Sequence, residues 1–254
     1  MNAPLPYILQ LADTALILSH RNSEWCGHGP VLEQDIAITN ISLDLLGQAR
    51  YLYQHAASII NEKNPESHAT EDSLAYLRTE REFRNPLICE LPRGDWAFTC
   101  LRQYLLSAYY ELLYNRLERS KDPQLAAIAS KSLKEVKYHL KWSSDWVIRL
   151  GDGTEESRQR IMDAMKQIWT YTGELFAPSE QEEISAADGT GVNPDSFRQD
   201  WLNMVTAVLE EAGLSIPENM FMQSGGKKGM HTENMGYILT ELQYMQRAYP
   251  GSEW

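Results

Sequence analysis

The stretch EQDIAITNISLDLLGQARYLYQHAASIIN, Glu33 to Asn61, decides the fold. Its Ile38, Ile41, Leu45, Gln48, Leu52, His55 and Ile59 recur at alternating steps of three and four, so they share one face of a helix and turn to a core together. At 1.5 Å rise per residue such a helix is roughly 43 Å long, the length a helical bundle requires.

The same helical pattern extends in both directions. Before it, Ile8, Leu11, Ala15 and Leu18 keep helical spacing until Cys26-Gly27-His28-Gly29-Pro30, which cannot continue a helix. After it, a shorter helix is expected from Glu71 to Phe83, and Pro86, Pro92 and Gly94 then punctuate the chain. Asp95 is placed to cap a third long helix reaching Ser120. Asp122 followed by Pro123 signals a fourth, with the cap residue and then proline at the first helical position. That helix should reach Leu150, with Gly151 in a left-handed terminus. Thr154 opens another, ending near Phe176, and Pro194 begins one to Ala212. Thr232 begins the last. Between them Pro178 to Gly191 carries Glu180, Glu182, Glu183 and Asp188 with no Lys or Arg, which predicts a solvated loop. No stretch alternates long enough to build a sheet, and no fixed-period repeat is present. The expectation is all-α, one domain over residues 1–254.

Composition narrows the function. A chain of 254 residues that is 43% hydrophobic can bury a sizeable core. Tyr7 to Leu18 is the one segment resembling the apolar part of a signal peptide, but Asp13 interrupts it and no basic segment precedes it, so a soluble protein without a membrane span is expected. Cys26, Cys89 and Cys100 are odd in number and lack Cys-x-x-Cys spacing, which fits reduced, buried thiols in a cytoplasm. A net charge of -12 repels nucleic acid and anionic membranes.

A bundle of this kind commonly holds a di-metal centre through a Glu-x-x-His pair on each of two helices. Here the residues three before the six histidines are Ile17, Trp25, Leu52, Pro65, Val136 and Lys228, and none is acidic. Glu135 and His139 do lie one turn apart on the fourth helix, as half of a metal site or as a buried His beside its own helix's carboxylate. Facing ligands would be needed, and the second helix offers only Leu45 and Gln48 at that depth. Glu24 and His28 flank a loop and read as a turn. Nucleophile-elbow, Walker and dinucleotide motifs are absent. The loop Ser224 to Glu233 stands out: its glycines permit close backbone approach, and Lys227 and Lys228, with His231, offer an anion or an acidic partner a positive patch, unless it is an ordinary surface turn. Tyr104, Tyr109, Tyr110 and Tyr114 form a stripe expected to pack in a core or an interface, with burial against a partner favoured.

Five segments, in order along nearly the whole chain, resemble the PaaC family of bacterial ring-1,2-phenylacetyl-CoA epoxidase components. They are Glu24 to His28, Ile41 to Arg50, Asp122 to Ala127, Lys134 to Leu140 and Gly225 to Glu233. The resemblance implies a ferritin-like helical bundle with additional C-terminal helices and a role in phenylacetate catabolism. It further implies pairing with a homologous A subunit that carries di-iron and binds phenylacetyl-CoA. A small B subunit and an NADPH-dependent reductase with FAD and iron-sulfur would complete the monooxygenase, and this chain would hold no cofactor of its own. Where the A subunit's ligand pairs look like Glu-Leu-Gly-His and Glu-Ser-Phe-His, this chain reads Leu45-Leu46-Gly47-Gln48 and Val136-Lys137-Tyr138-His139. On that matching only His139 survives, and the resemblance implies a non-catalytic subunit. Two other readings are a stand-alone di-iron or di-manganese oxidase using Glu135 and His139 with Asp13 or Glu111, and a helical adaptor unrelated to oxygenation.

Overall fold

A computed structural model describes residues 2–252, and among them no residue is in a strand. α1 (Leu5–Ser23) and α2 (Leu32–Lys63) form one antiparallel hairpin. After a connection holding the short α3 (Glu71–Tyr76), α4 (Trp96–Leu117) and α5 (Pro123–Gly151) form a second hairpin, and α2 packs on α5. This is a ferritin-like four-helix bundle with additional C-terminal helices. α6 (Glu155–Ile168) and α8 (Arg198–Glu211) cover α4 and α5, α7 (Glu180–Asp188) lies on α1, and α9 (Glu233–Ala248) lies on α3.

α4 is buried on every side, with Phe98, Leu101, Tyr104, Leu105 and Ala108 alongside the enclosed polar Arg102 and Gln103, and is the most enclosed helix. Burying each such leucine contributes roughly 1.5–3 kcal/mol. α5 is instead two-faced, with Leu125, Ile128, Val136 and Val147 turned inward. Its start is fixed by Asp122, whose Oδ1 accepts from the backbone N–H groups of Gln124 and Leu125 at 3.0 Å each. Oδ2 accepts from Ala3 N and from His55 Nε2, both at 2.8 Å. One buried carboxylate thereby caps α5 and ties it to α2 and the N-terminus. Burial works against its charge, but the hydrogen bonds from His55, Ala3 and Leu125 outweigh that and lower its pKa to about 2.

Several expectations are corrected. The acidic stretch after Pro178 is not a solvated loop: it forms α7, which Ser179 opens by a reciprocal capping box with Glu182. The helix from Glu71 stops at Tyr76, and that from Thr154 stops at Ile168, where 3-10 turns carry the chain on to Phe176. Gly151 is the last residue of α5 and is not left-handed; a Cβ there would lie 2.3 Å from Ala212 O, so its role is close approach to the end of α8. Cys89 and Cys100 are buried as expected, whereas Cys26 is exposed. The four tyrosines of α4 are buried within this chain, not left for a partner. Among the described residues no helix is long and apolar enough to cross a membrane.

Candidate functional site

The four positions matched to metal ligands lie on α2 (Leu45 and Gln48) and α5 (Val136 and His139), two helices that pack on each other, and all four are buried. The register between these helices is set by polar pairs along their length. Gln34 Oε1 accepts from Trp142 Nε1 at 3.0 Å and from Trp146 Nε1 at 2.8 Å, and Lys131 Nζ donates to Tyr51 OH at 2.6 Å. Between them, Leu45 and Val136 are 1% exposed and belong to the apolar core. Gln48 Nε2 donates to Glu135 Oε2 at 2.9 Å, and Tyr114 OH of α4 donates to Gln48 Oε1 at 3.3 Å. His139 is 1% exposed and its Nε2 donates to Asp44 Oδ2 at 3.0 Å.

These contacts make the centre a packed layer with a hydrogen-bonded edge. Glu135 is half-buried; burial chiefly raises its pKa, Asp44 pushes in the same direction, and the Gln48 hydrogen bond opposes both. The donor set does not fit a di-iron pair. Leu45 and Val136 supply hydrocarbon, the Gln48 amide is engaged on both ends, and the one imidazole is turned to Asp44. Among the described residues no three His, Cys, Asp or Glu side chains are grouped to hold a metal ion.

Asp13, the α1 carboxylate available to a di-metal reading, is engaged elsewhere. It is fully buried and accepts from Tyr53 OH (2.6 Å), from Arg84 N (2.9 Å) and from both terminal nitrogens of Arg78, Nη1 at 3.1 Å and Nη2 more closely. Arg78 spends its remaining donors on Leu74 O (2.5 Å), Glu82 O (3.0 Å) and Tyr53 OH (3.1 Å), and its guanidinium lies 4.2 Å from the Phe83 ring centre. A guanidinium from the α3–α4 connection thus neutralises the carboxylate of the first bundle helix. Glu111 of α4 is partly exposed, with its backbone oxygen accepting from Asn115.

The glycine-rich loop is built into the fold. Gly226 packs so tightly that a Cβ would fall 2.2 Å from Asn85 O. Glu174 Oε1 accepts from Gly225 N (2.8 Å) and Lys227 N (3.2 Å), while its Oε2 accepts from Leu87 N (2.8 Å). Lys227 is buried, and its Nζ meets both Glu182 oxygens at 3.0 Å, Leu175 O at 3.1 Å and Ala177 O at 3.2 Å. The His231 side chain is enclosed too: Nδ1 donates to Glu90 Oε2 at 3.0 Å and Nε2 to Phe83 O at 3.1 Å. Burial disfavours its charged form, but Glu90 and the Phe83 carbonyl outweigh it and raise its pKa. Glu90 Oε1 also accepts from Thr232 N at 2.8 Å, pinning the start of α9. The expectation of a partner or anion contact is therefore corrected at Lys227 and His231, which are enclosed and hold the C-terminal region to the bundle, while Lys228 is exposed.

A model of the family described as phenylacetic acid catabolic protein, PaaA_PaaC, matches residues 1–254. The chain belongs to the PaaA/PaaC family. It is 45% identical over 254 residues, covering all of both chains, to the C subunit of 1,2-phenylacetyl-CoA epoxidase from Escherichia coli (strain K12).

Within this PaaA/PaaC-family chain, Leu45, Gln48, Val136 and His139 are all buried on two helices that pack together. The sequence reading missed Asp44 and Arg78, and it placed Tyr114 in a packing stripe without its hydrogen bond to Gln48. Asp44 sits one residue before Leu45 and one turn before Gln48, so helical spacing places it beside Gln48, while its contact with His139 comes from the packing of α2 on α5. Arg78 carried no such signal, because its partner Asp13 lies 65 residues away. Glu24 and His28, read as a turn, remain at the surface: Glu24 Oε1 accepts from Arg21 Nη1 at 2.6 Å and His28 Nδ1 bonds Cys26 O at 3.1 Å.

Proposed function

We propose that this chain, folded as a single domain over residues 1–254, is the non-catalytic structural C-type component of phenylacetyl-CoA 1,2-epoxidase in aerobic phenylacetate catabolism. The observation that carries the reading is the packed centre, where Leu45, Gln48 and Val136 stand at matched ligand positions, Gln48 is bonded to Glu135, and the remaining His139 is turned to Asp44. Full-length similarity to the C subunit of an epoxidase supports the place in the complex. The contribution of such a component is rigidity: a homologous bundle pressed against an A-type subunit holds its helices at the spacing the iron site needs. Di-iron belongs to the A-type subunit, and FAD and iron-sulfur to an NADPH-dependent reductase; a B-type subunit makes the assembly whole. The engagement of Asp13 by Arg78 counts against a stand-alone di-metal carboxylate oxidase. Reconstitution tests the proposal: the A-type subunit, B-type subunit and reductase are assayed for phenylacetyl-CoA epoxidation with and without this chain. Activity that depends on its addition is expected. Equal activity and equal stability of the A-type subunit in its absence would contradict the proposal.

A further inference from the structure

The outward face shared by α2 and α5 carries features that the chain's own packing leaves unexplained. Gly47 sits in the middle of α2, where glycine weakens a helix relative to alanine. Close contact accounts for glycine at Gly151 and Gly226 and positive φ at Gly27 and Gly251, but Gly47 is helical and a Cβ there would meet nothing within 4 Å, a situation shared most nearly by Gly236 of α9, where the nearest atom is 4.0 Å away. Around it the surface is apolar: Ile36, Leu43 and Tyr51 on α2 and Tyr138 on α5 are 51%, 58%, 37% and 49% exposed. Beside them α5 turns Lys131, Lys134, Lys137 and Lys141 outward, at spacings that keep them on one side of the helix, in a chain of net charge -12. Lys131 is held over the Tyr51 ring, 4.1 Å from its centre, and Lys141 pairs with Asp145. Lys134 and Lys137 have no ion-pair partner among the described residues. The neighbouring carboxylates Asp44 and Glu135 are engaged by His139 and Gln48.

We propose that this face is the docking surface for a helix of another protein of the complex, one that passes closest at Gly47 and carries carboxylates opposite the α5 lysines. This rests on the reading of the chain as an epoxidase component. Charge complementarity selects an acidic partner, since the lysine stripe is a local positive field on an acidic molecule. The apolar side chains between the lysines select a protein surface over a polyanion, because only a protein would cover Ile36, Leu43 and Tyr138 with hydrocarbon. A glycine at the crossing lets two helix backbones approach closely, which gives its position a purpose.

The test titrates the purified A-type subunit with this chain, with Gly47→Leu and with Lys134→Glu/Lys137→Glu, at low and high salt. Thermal melts of each isolated chain run alongside. Gly47→Leu is expected to melt no lower than the parent, since leucine favours the helix and a Cβ there meets nothing, and to bind at least ~10-fold more weakly, because the added side chain fills the crossing point. The double charge reversal should weaken binding at low salt and flatten its salt dependence. Parent-like binding by both variants would overturn the assignment of this face while leaving the epoxidase reading intact. Absence of binding by the parent chain would overturn both. Self-association of the parent that Gly47→Leu abolishes would make the occupant a second copy and overturn the proposal.

Discussion

Replacing Asp13 with Asn tests whether the buried carboxylate of α1 serves the fold or a metal. In the structure it faces Arg78, whose donors are all engaged and whose neighbours are Tyr53 and Phe83. Asparagine preserves the volume and some hydrogen bonds but leaves the guanidinium without its counter-charge in the core. Breaking a buried pair by removing one partner costs about 3–5 kcal/mol. For a chain of this size that lowers Tm by roughly 6–20 °C, at 2–4 °C per kcal/mol. Urea unfolding of the parent, Asp13→Asn, Arg78→Met and the pair Asp13→Leu/Arg78→Met provides the assay, with the denaturant slope monitored to exclude a change in the unfolded state. The pair should cost less than either single change, because removing both charges removes the desolvation problem. A loss under ~1 kcal/mol in Asp13→Asn, or strict additivity in the pair, would refute the reasoning.

Other consequences follow from the same contacts. His139→Gln should cost roughly 1–3 kcal/mol, as expected for disturbing a buried polar partner, while activity of the assembled complex tracks folded protein; lost activity in a folded, assembled variant would revive a catalytic role. Lys227→Ala strands Glu182 in the interior and should destabilise by about 3–5 kcal/mol, whereas Lys228→Ala should leave unfolding unchanged; equal effects would contradict the buried position of Lys227. The pH profile of stability should fall on both sides. His231 has a raised folded pKa, so its contribution is complete below the usual histidine value near 6.5 and disappears as pH rises through the folded value. Asp122 has a folded pKa of about 2 against an ordinary 3.8, so its contribution, on the order of 2 kcal/mol, is present above 3.8 and disappears as pH falls toward 2. His231→Gln and Asp122→Asn should flatten the alkaline and acid limbs respectively; unaltered limbs would sink the assignment.

The bundle was legible because its signals are local. The α2 stripe from Ile38 to Ile59 and the Asp122-Pro123 start of α5 act within a few residues of themselves. α7 was misread although Ser179 and Glu182 have capping-box spacing, because a run of acidic side chains ordinarily faces water. What makes Glu182 inward is Lys227, 45 residues later. The same separation hid Lys227, since a lysine in a glycine-rich loop has no visible partner in sequence. At the centre, the lack of carboxylate or imidazole donors was legible from the side chains at Leu45, Gln48 and Val136. The hydrogen bonds of Gln48 to Glu135 and Tyr114 depended on the packing of three helices, which spacing on one helix does not specify.

The most direct test of the central claim is metal analysis of this chain purified from iron-supplemented cells, run beside the A-type subunit prepared identically. The filled bundle centre predicts substoichiometric iron here and a retained iron pair in the A-type subunit, with epoxidation appearing only when the two are combined with the B-type subunit and reductase. A tightly held iron pair in this chain alone would contradict it.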